Sequence, residues 1–70
     1  MLILEAIGPR AEELSDKAGG AVDAAVGFDP DFNCATFDWN DLENEALEAA
    51  VVDALASIDA DWTSHLRIAQ

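Results

Sequence analysis

From Ala18 to Leu66 the chain runs through 49 consecutive residues without a lysine or an arginine. The same stretch holds eleven carboxylates: Asp23, Asp29, Asp31, Asp38, Asp41, Glu43, Glu45, Glu48, Asp53, Asp59 and Asp61. The cationic side chains Arg10, Lys17 and Arg67 all lie outside it. Fifteen acids against three bases leave a formal net charge of −12. Any fold open to this chain must hold that like charge on its exterior, because unpaired carboxylates are not buried. Direct binding of nucleic acid is excluded, since it needs a basic patch to neutralise phosphates. An anionic membrane surface is excluded for the same reason.

The chain is nevertheless built to fold. Its apolar fraction is 51%, whereas disorder combines high charge with low hydrophobicity. Seventy residues make a single domain spanning 1–70, with roughly 4,200 Å² of expected folded surface against roughly 10,700 Å² for the extended chain. That suffices for one modest core and leaves no room for a cleft between two domains. The longest apolar runs, such as Met1–Leu4 and Ala49–Val52, are far short of the roughly 20 residues needed to cross a bilayer. A charged segment followed by an apolar one, the mark of a secretory signal, is not seen. The lone Cys34 has no partner for an internal disulfide, which suits a reducing cytoplasm. It reads as a small buried hydrophobe, with no cation nearby in sequence to activate it.

Periodicity predicts the order strand, helix, strand, helix, strand. Met1–Ile7 reads as a strand with Leu2, Leu4 and Ala6 on one face, ended by Gly8-Pro9. A helix over Pro9–Val26 follows from Ala11, Leu14, Ala18, Ala21, Val22, Ala25 and Val26 at steps of three and four. Gly19-Gly20 in its middle either breaks it or admits another backbone, and Gly27 is its expected C-cap. Phe28–Phe32 reads as a connection. Asn33–Trp39 alternates, with Ala35, Phe37 and Trp39 on one side. Asn40 and Glu43 form a capping box for a second helix over Asp41–Ile58, whose stripe is Leu42, Ala46, Leu47, Ala50, Val51, Ala54, Leu55 and Ile58. Trp62–Ala69 reads as the last strand, with Leu66 and Ile68 on one face. The expected fold is therefore α+β (or small α/β): two layers, a short three-stranded sheet with both helices on one face. Its strand-helix-strand steps suit right-handed crossovers, with antiparallel pairing of the end strands left open.

Catalytic chemistry has little to stand on. His65 lies beside Ser64, but no acid and nucleophile motif accompanies them, and His65 reads as an edge-strand residue. Gly19-Gly20 lacks the spacing and the lysine of a phosphate loop. Asp29-x-Asp31-x-Asn33 opens like a calcium loop, then fails at its sixth position, Cys34, and its twelfth, Asn40. Leu14-Ser15-Asp16 reverses the order that a carrier-protein attachment serine needs. The expectation is a non-enzymatic protein with no cofactor and no metal site.

The acids themselves are the remaining signal. A small domain ordinarily carries a net charge of magnitude about 2 to 8, with both signs mixed. Asp59 and Asp61 also follow the end of the second helix, where the dipole favours cations. Carboxylates one helical turn apart, as at Glu45 and Glu48 with Asp41 a turn earlier, have Cβ atoms about 5–6 Å apart. Duplex DNA carries one charge per about 1.7 Å of axis, so twelve charges match roughly 20 Å of duplex. Presenting carboxylates where a partner expects phosphates accounts for these features together. The predicted partner-binding residues are Asp41, Glu45, Glu48, Asp53, Asp59 and Asp61. Phe28, Phe32, Trp39 and Trp62 read as core or rim, and any that proves exposed is a candidate anchor.

In size, charge and the Asp41–Asp61 acidic segment, the chain resembles the small DNA-mimic anti-CRISPR proteins of phages and mobile elements, in particular inhibitors of type I (I-C) Cascade. The resemblance implies inhibition by binding a basic DNA-recognition surface of the effector, such as the subunit that reads the PAM. It transfers no individual residue. Two rival readings use the same composition. Nine Asp, six Glu and one Lys also suit a halophile-type acidic protein, which should unfold at low salt. An acidic antitoxin or adaptor neutralising a basic partner shares the mechanism with a different target.

Overall fold

The computed structural model describes residues 1–39 and 44–69. Four strands and two helices follow one another as β1 (Leu2–Ala6), α1 (Ala11–Val22), β2 (Ala25–Asp29), β3 (Cys34–Asp38), α2 (Asn44–Ile58) and β4 (Leu66–Ile68), with a 3-10 turn at Trp62–Ser64 before the last strand. The α+β class stands, and the three-strand count is corrected to four. The added strand comes from the tail of the first predicted helix. Ala21, Val22, Ala25 and Val26 fit helical spacing, but Val26 and Phe28 also alternate with Ala25 and Gly27. Asp23 decides between the two periods by entering the left-handed region at φ 57°, and it opens the exit from α1. The Ala24 amide then bonds back to the Gly19 carbonyl at 2.9 Å. Gly27 is consequently a mid-strand residue opposite Thr36, not a helix cap.

Every neighbouring pair in the sheet is antiparallel, and the spatial order is β2-β3-β1-β4. The simple βαβ crossovers are corrected accordingly. β1 and β2 do run parallel across α1, but β3 lies between them. β3 and β4 run parallel across α2, with β1 between them. Two interleaved split β-α-β units are the arrangement of ferredoxin-like folds. β2 and β3 make that interleaving with a four-residue hairpin turn, Pro30–Asn33. In it Asn33 takes φ 52°, and the Asp29 Oδ1 accepts the Asp31 amide at 2.9 Å.

One core joins the layers. Leu2, Leu4, Ala35, Phe37 and Leu66 from the sheet meet Ala11, Leu14 and Ala18 of α1 and Leu47, Val51 and Leu55 of α2. All are essentially inaccessible, and each large side chain contributes about 1.5–3 kcal/mol by leaving water. The alternation predicted for β1 and β3 is the one observed. Ala46, expected in the α2 stripe, is exposed. The Gly19-Gly20 pair does not break α1. Gly19 is buried where Val26 of β2 crosses it, and a Cβ there would run into the Val26 side chain; at Gly20 it would meet nothing within 4 Å. The Trp39 indole N–H donates to the Val22 carbonyl at 3.0 Å, satisfying the last turn of α1. The predicted last strand, Trp62–Ala69, divides into the 3-10 turn and a three-residue β4. The accessible surface is 4190 Å².

Candidate partner-binding surface

Both helices cover the same side of the sheet and pack against each other, so their outward faces form one side of the molecule. On α2 that face carries exposed Glu45, Glu48 and Asp53 among exposed alanines. α1 contributes Glu12, Glu13, Asp16 and Lys17. Glu13 is tied to both neighbouring cations, accepting from Arg10 Nε at 3.2 Å and from Lys17 Nζ at 3.0 Å. Those two bonds and the adjacent positive charges hold its carboxyl below the usual carboxylate range. Glu12, Asp16, Glu45, Glu48 and Asp53 have no cation partner among the described residues.

The predicted binding residues divide. Glu45, Glu48 and Asp53 stand together on the α2 exterior. Asp41, like the Asn40–Glu43 capping box, lies outside the described residues. Asp59 has a structural occupation. Its side chain is 17% exposed, and its Oδ2 receives Arg10 Nη1 at 2.5 Å. Its Oδ1 accepts the Asp61 amide at 2.8 Å. The acid past the end of α2, anomalous against the helix dipole, is thus explained: it ties the exit of α2 to the entry of α1. Arg10 is held in the charged form more firmly than usual, first by its bond to Glu13 and then by Asp59. Asp61 is exposed and leaves its carboxylate to solvent.

The opposite side of the sheet is different in kind. The register puts Ile3, Thr36 and Gly27 in one row and Glu5, Cys34 and Asp29 in the next. Arg67 of β4 sits opposite Glu5 and bonds its Oε2 at 2.8 Å, which raises the guanidinium's affinity for its proton. Asp29 is the cap of the hairpin turn, and Asp38 lies 3.6 Å from the N-terminal amine. Each acid on this face therefore has a local bond. Cys34 is half-buried here, more accessible than its sequence reading as a buried hydrophobe. His65 precedes β4. Its Nδ1 faces the Arg10 amide at 3.4 Å, and its carbonyl accepts the Ile7 amide at 2.8 Å, a bridging role with no nucleophile attached.

Sequence reasoning missed two contributors. Glu12 and Asp16 read locally as dipole partners for α1, and only the packing of α1 beside α2 adds them to the same side. Phe32 was grouped with the core or rim aromatics, yet it is 78% exposed at the hairpin turn. Its position in the turn, directly between Asp31 and Asn33, was the available signal. Among the described residues no helix is long and apolar enough to cross a membrane. No family model matches the chain, and no curated protein or solved structure matches it either.

Proposed function

We infer that this protein is a non-enzymatic inhibitor that offers its helical side to a basic, DNA-binding surface of another protein and occupies it in place of DNA. The observation that carries this reading is the contrast in how its acids are used. Among the described residues, Glu5, Asp29 and Asp38 on the open sheet face each serve a local bond, whereas Glu12, Asp16, Glu45, Glu48 and Asp53 on the helical side have no cation partner. Unpaired like charge on one side opposes stability and strengthens the attraction of a basic groove, which raises the encounter rate. The open sheet face offers no competing nucleic-acid platform: its residues include no aromatic for stacking, and its arginine is bound to Glu5. A CRISPR effector of the Cascade type, through the subunit that reads the PAM, is the target the resemblance implies.

Capture on purified Cascade, with target DNA as competitor at two salt concentrations, tests the reading. The expected result is a complex at ordinary salt that target DNA displaces and that weakens as salt rises. Combined reversal at Glu45→Lys, Glu48→Lys and Asp53→Lys should abolish capture while the far-ultraviolet circular dichroism is unchanged. A chain that unfolds at low salt would support the halophile reading. Capture indifferent to the triple reversal would move the contact elsewhere.

A further inference from the structure

The two edges of the sheet are finished differently. β4 is only three residues long and carries Arg67, two of the devices that keep an edge from pairing with another chain. β2 is the other edge and is five residues long, Ala25–Asp29, with no lysine, arginine or proline in it. Its outward backbone groups follow from the ladder. The Ala6 amide donates to the Asn33 carbonyl at 2.6 Å, so Asn33 bonds toward β1. By the antiparallel alternation Ala35 and Phe37 do the same, and Cys34, Thr36 and Asp38 bond toward β2. Their partners there are Asp29, Gly27 and Ala25. The backbone N–H and C=O groups of Val26 and Phe28 therefore point away from β3, and among the described residues nothing bonds to them.

The flank of α1 beside this edge is acidic. Glu12, Asp16 and Gly19 follow one another at steps of four and three, which places them on one side of the helix. Gly19 is where α1 meets Val26 of β2, so that side is the β2 side. Glu12 lines a groove together with Phe28 of β2, the same relation one strand pleat further along. Asp23, at the exit of α1, stands at the start of the edge. Glu12, Asp16 and Asp23 are exposed and have no cation partner among the described residues. On the open face the edge presents only Ala25 and Gly27 before Asp29, so side chains of an added strand meet no bulk there.

We propose that β2 accepts an extended segment of a basic protein as a fifth, antiparallel strand. Its backbone would bond to Val26 and Phe28, and its alternate lysines or arginines would point to the helical side and meet Glu12 and Asp16, with Asp23 at the end. The spacings agree: four helical residues rise about 6 Å, and alternate strand residues lie about 6.6 Å apart. A second copy is the wrong occupant, because pairing β2 with β2 would set each acidic flank near its counterpart. A nucleic acid cannot pair with the edge and is repelled by the same flank. The proposal rests on the reading above that the partner is basic, and adds a mode of backbone recognition that charge alone does not supply.

The probe is a synthetic peptide alternating arginine and valine, in three forms: unmodified, N-methylated at the arginine amides, and N-methylated at the valine amides. Each is titrated into the isotope-labelled full chain. In the proposed pairing the arginine amides face β2 and the valine amides face solvent. Methylation at arginine is expected to weaken binding at least tenfold, while methylation at valine leaves it nearly unchanged. The unmodified peptide should slow hydrogen exchange at the Val26 and Phe28 amides about tenfold at saturation. Glu12→Gln combined with Asp16→Asn should weaken its binding about fivefold, with circular dichroism confirming that the variant folds. Equal binding of the two methylated forms, or no new protection at Val26 and Phe28, would overturn strand addition and leave the polyanion reading standing. Binding of no form would also overturn it, and Cascade capture, measured without peptide, would still decide the inhibitor reading separately. Protection of Val26 and Phe28 that rises with protein concentration alone would make a second copy the occupant and overturn the proposal.

Discussion

The two sides of the sheet use the same residue type for opposite ends. On the open face, Glu5 answers Arg67 and Asp29 caps the hairpin, so charge is consumed in holding strands and turns. On the helical side, Glu45, Glu48 and Asp53 have no cation partner among the described residues. Asp59 marks the border, because it follows α2 in sequence yet belongs by its bonds to the first group. An acidic composition is therefore not one property. Part of it is architecture, and part is surplus that the fold tolerates and displays.

The largest expected effect removes the comparison altogether. Phe37 lies in the core between the sheet and the helices, and Phe37→Ala should cost about 3–5 kcal/mol. A core of this size rarely supplies more than about 3–5 kcal/mol in total. The variant should lose its thermal transition, and a retained sharp melt would show that the helical layer and the sheet do not share one core. Next in size is the glycine pair. Gly19→Ala should destabilise by about 1–3 kcal/mol through collision with Val26. Gly20→Ala, on the exposed side of α1, should stabilise by about 0.5–1 kcal/mol. Urea titration of the two variants measures the opposite signs, and equal signs would mean that β2 does not cross α1 at Gly19.

Smaller still is the difference between structural and surplus acid. Asp59→Ala removes both the Arg10 contact and the bond to the Asp61 amide. It should lower the melting temperature by about 5 °C, while Asp53→Ala stays within about 0.5 kcal/mol of the parent. Equal losses would erase the border drawn at Asp59. The smallest effect is in pH. The folded-state affinity of Glu13 for a proton is lowered by Arg10 and Lys17. Its contribution is therefore present above the ordinary carboxylate range and is lost as pH falls through its lowered folded value. In Glu13→Gln the fall in melting temperature between neutral and acid pH should be shallower than in the parent. An unchanged slope would show that these bonds do not bear on stability.

Much of the fold was legible in local pattern. Leu2 and Leu4, or Ala35, Phe37 and Trp39, face the core because a strand's side chains alternate and the sequence alternates with them. The α2 stripe from Leu47 to Ile58 was equally plain, save for Ala46, whose small side chain marks no side strongly. Ala21–Phe28 was not legible, since it satisfies the helical and the extended period at once. Of the candidate surface, Glu45, Glu48 and Asp53 could be placed from helical spacing alone. Asp59 could not, because the cation that claims it is Arg10, 49 residues away.

By itself the amino-acid sequence determined the sign and size of the charge and the apolar faces of β1, β3 and α2. These depend on composition and on neighbours a few positions apart. The tertiary structure alone decided that a fourth strand forms, that β3 and β1 interleave the parallel pairs, and which carboxylates are neutralised. Each of those outcomes turns on contacts between distant segments, such as Glu5 with Arg67 across 62 residues. Short-range periodicity cannot encode a partner that only chain reversal brings within bonding distance.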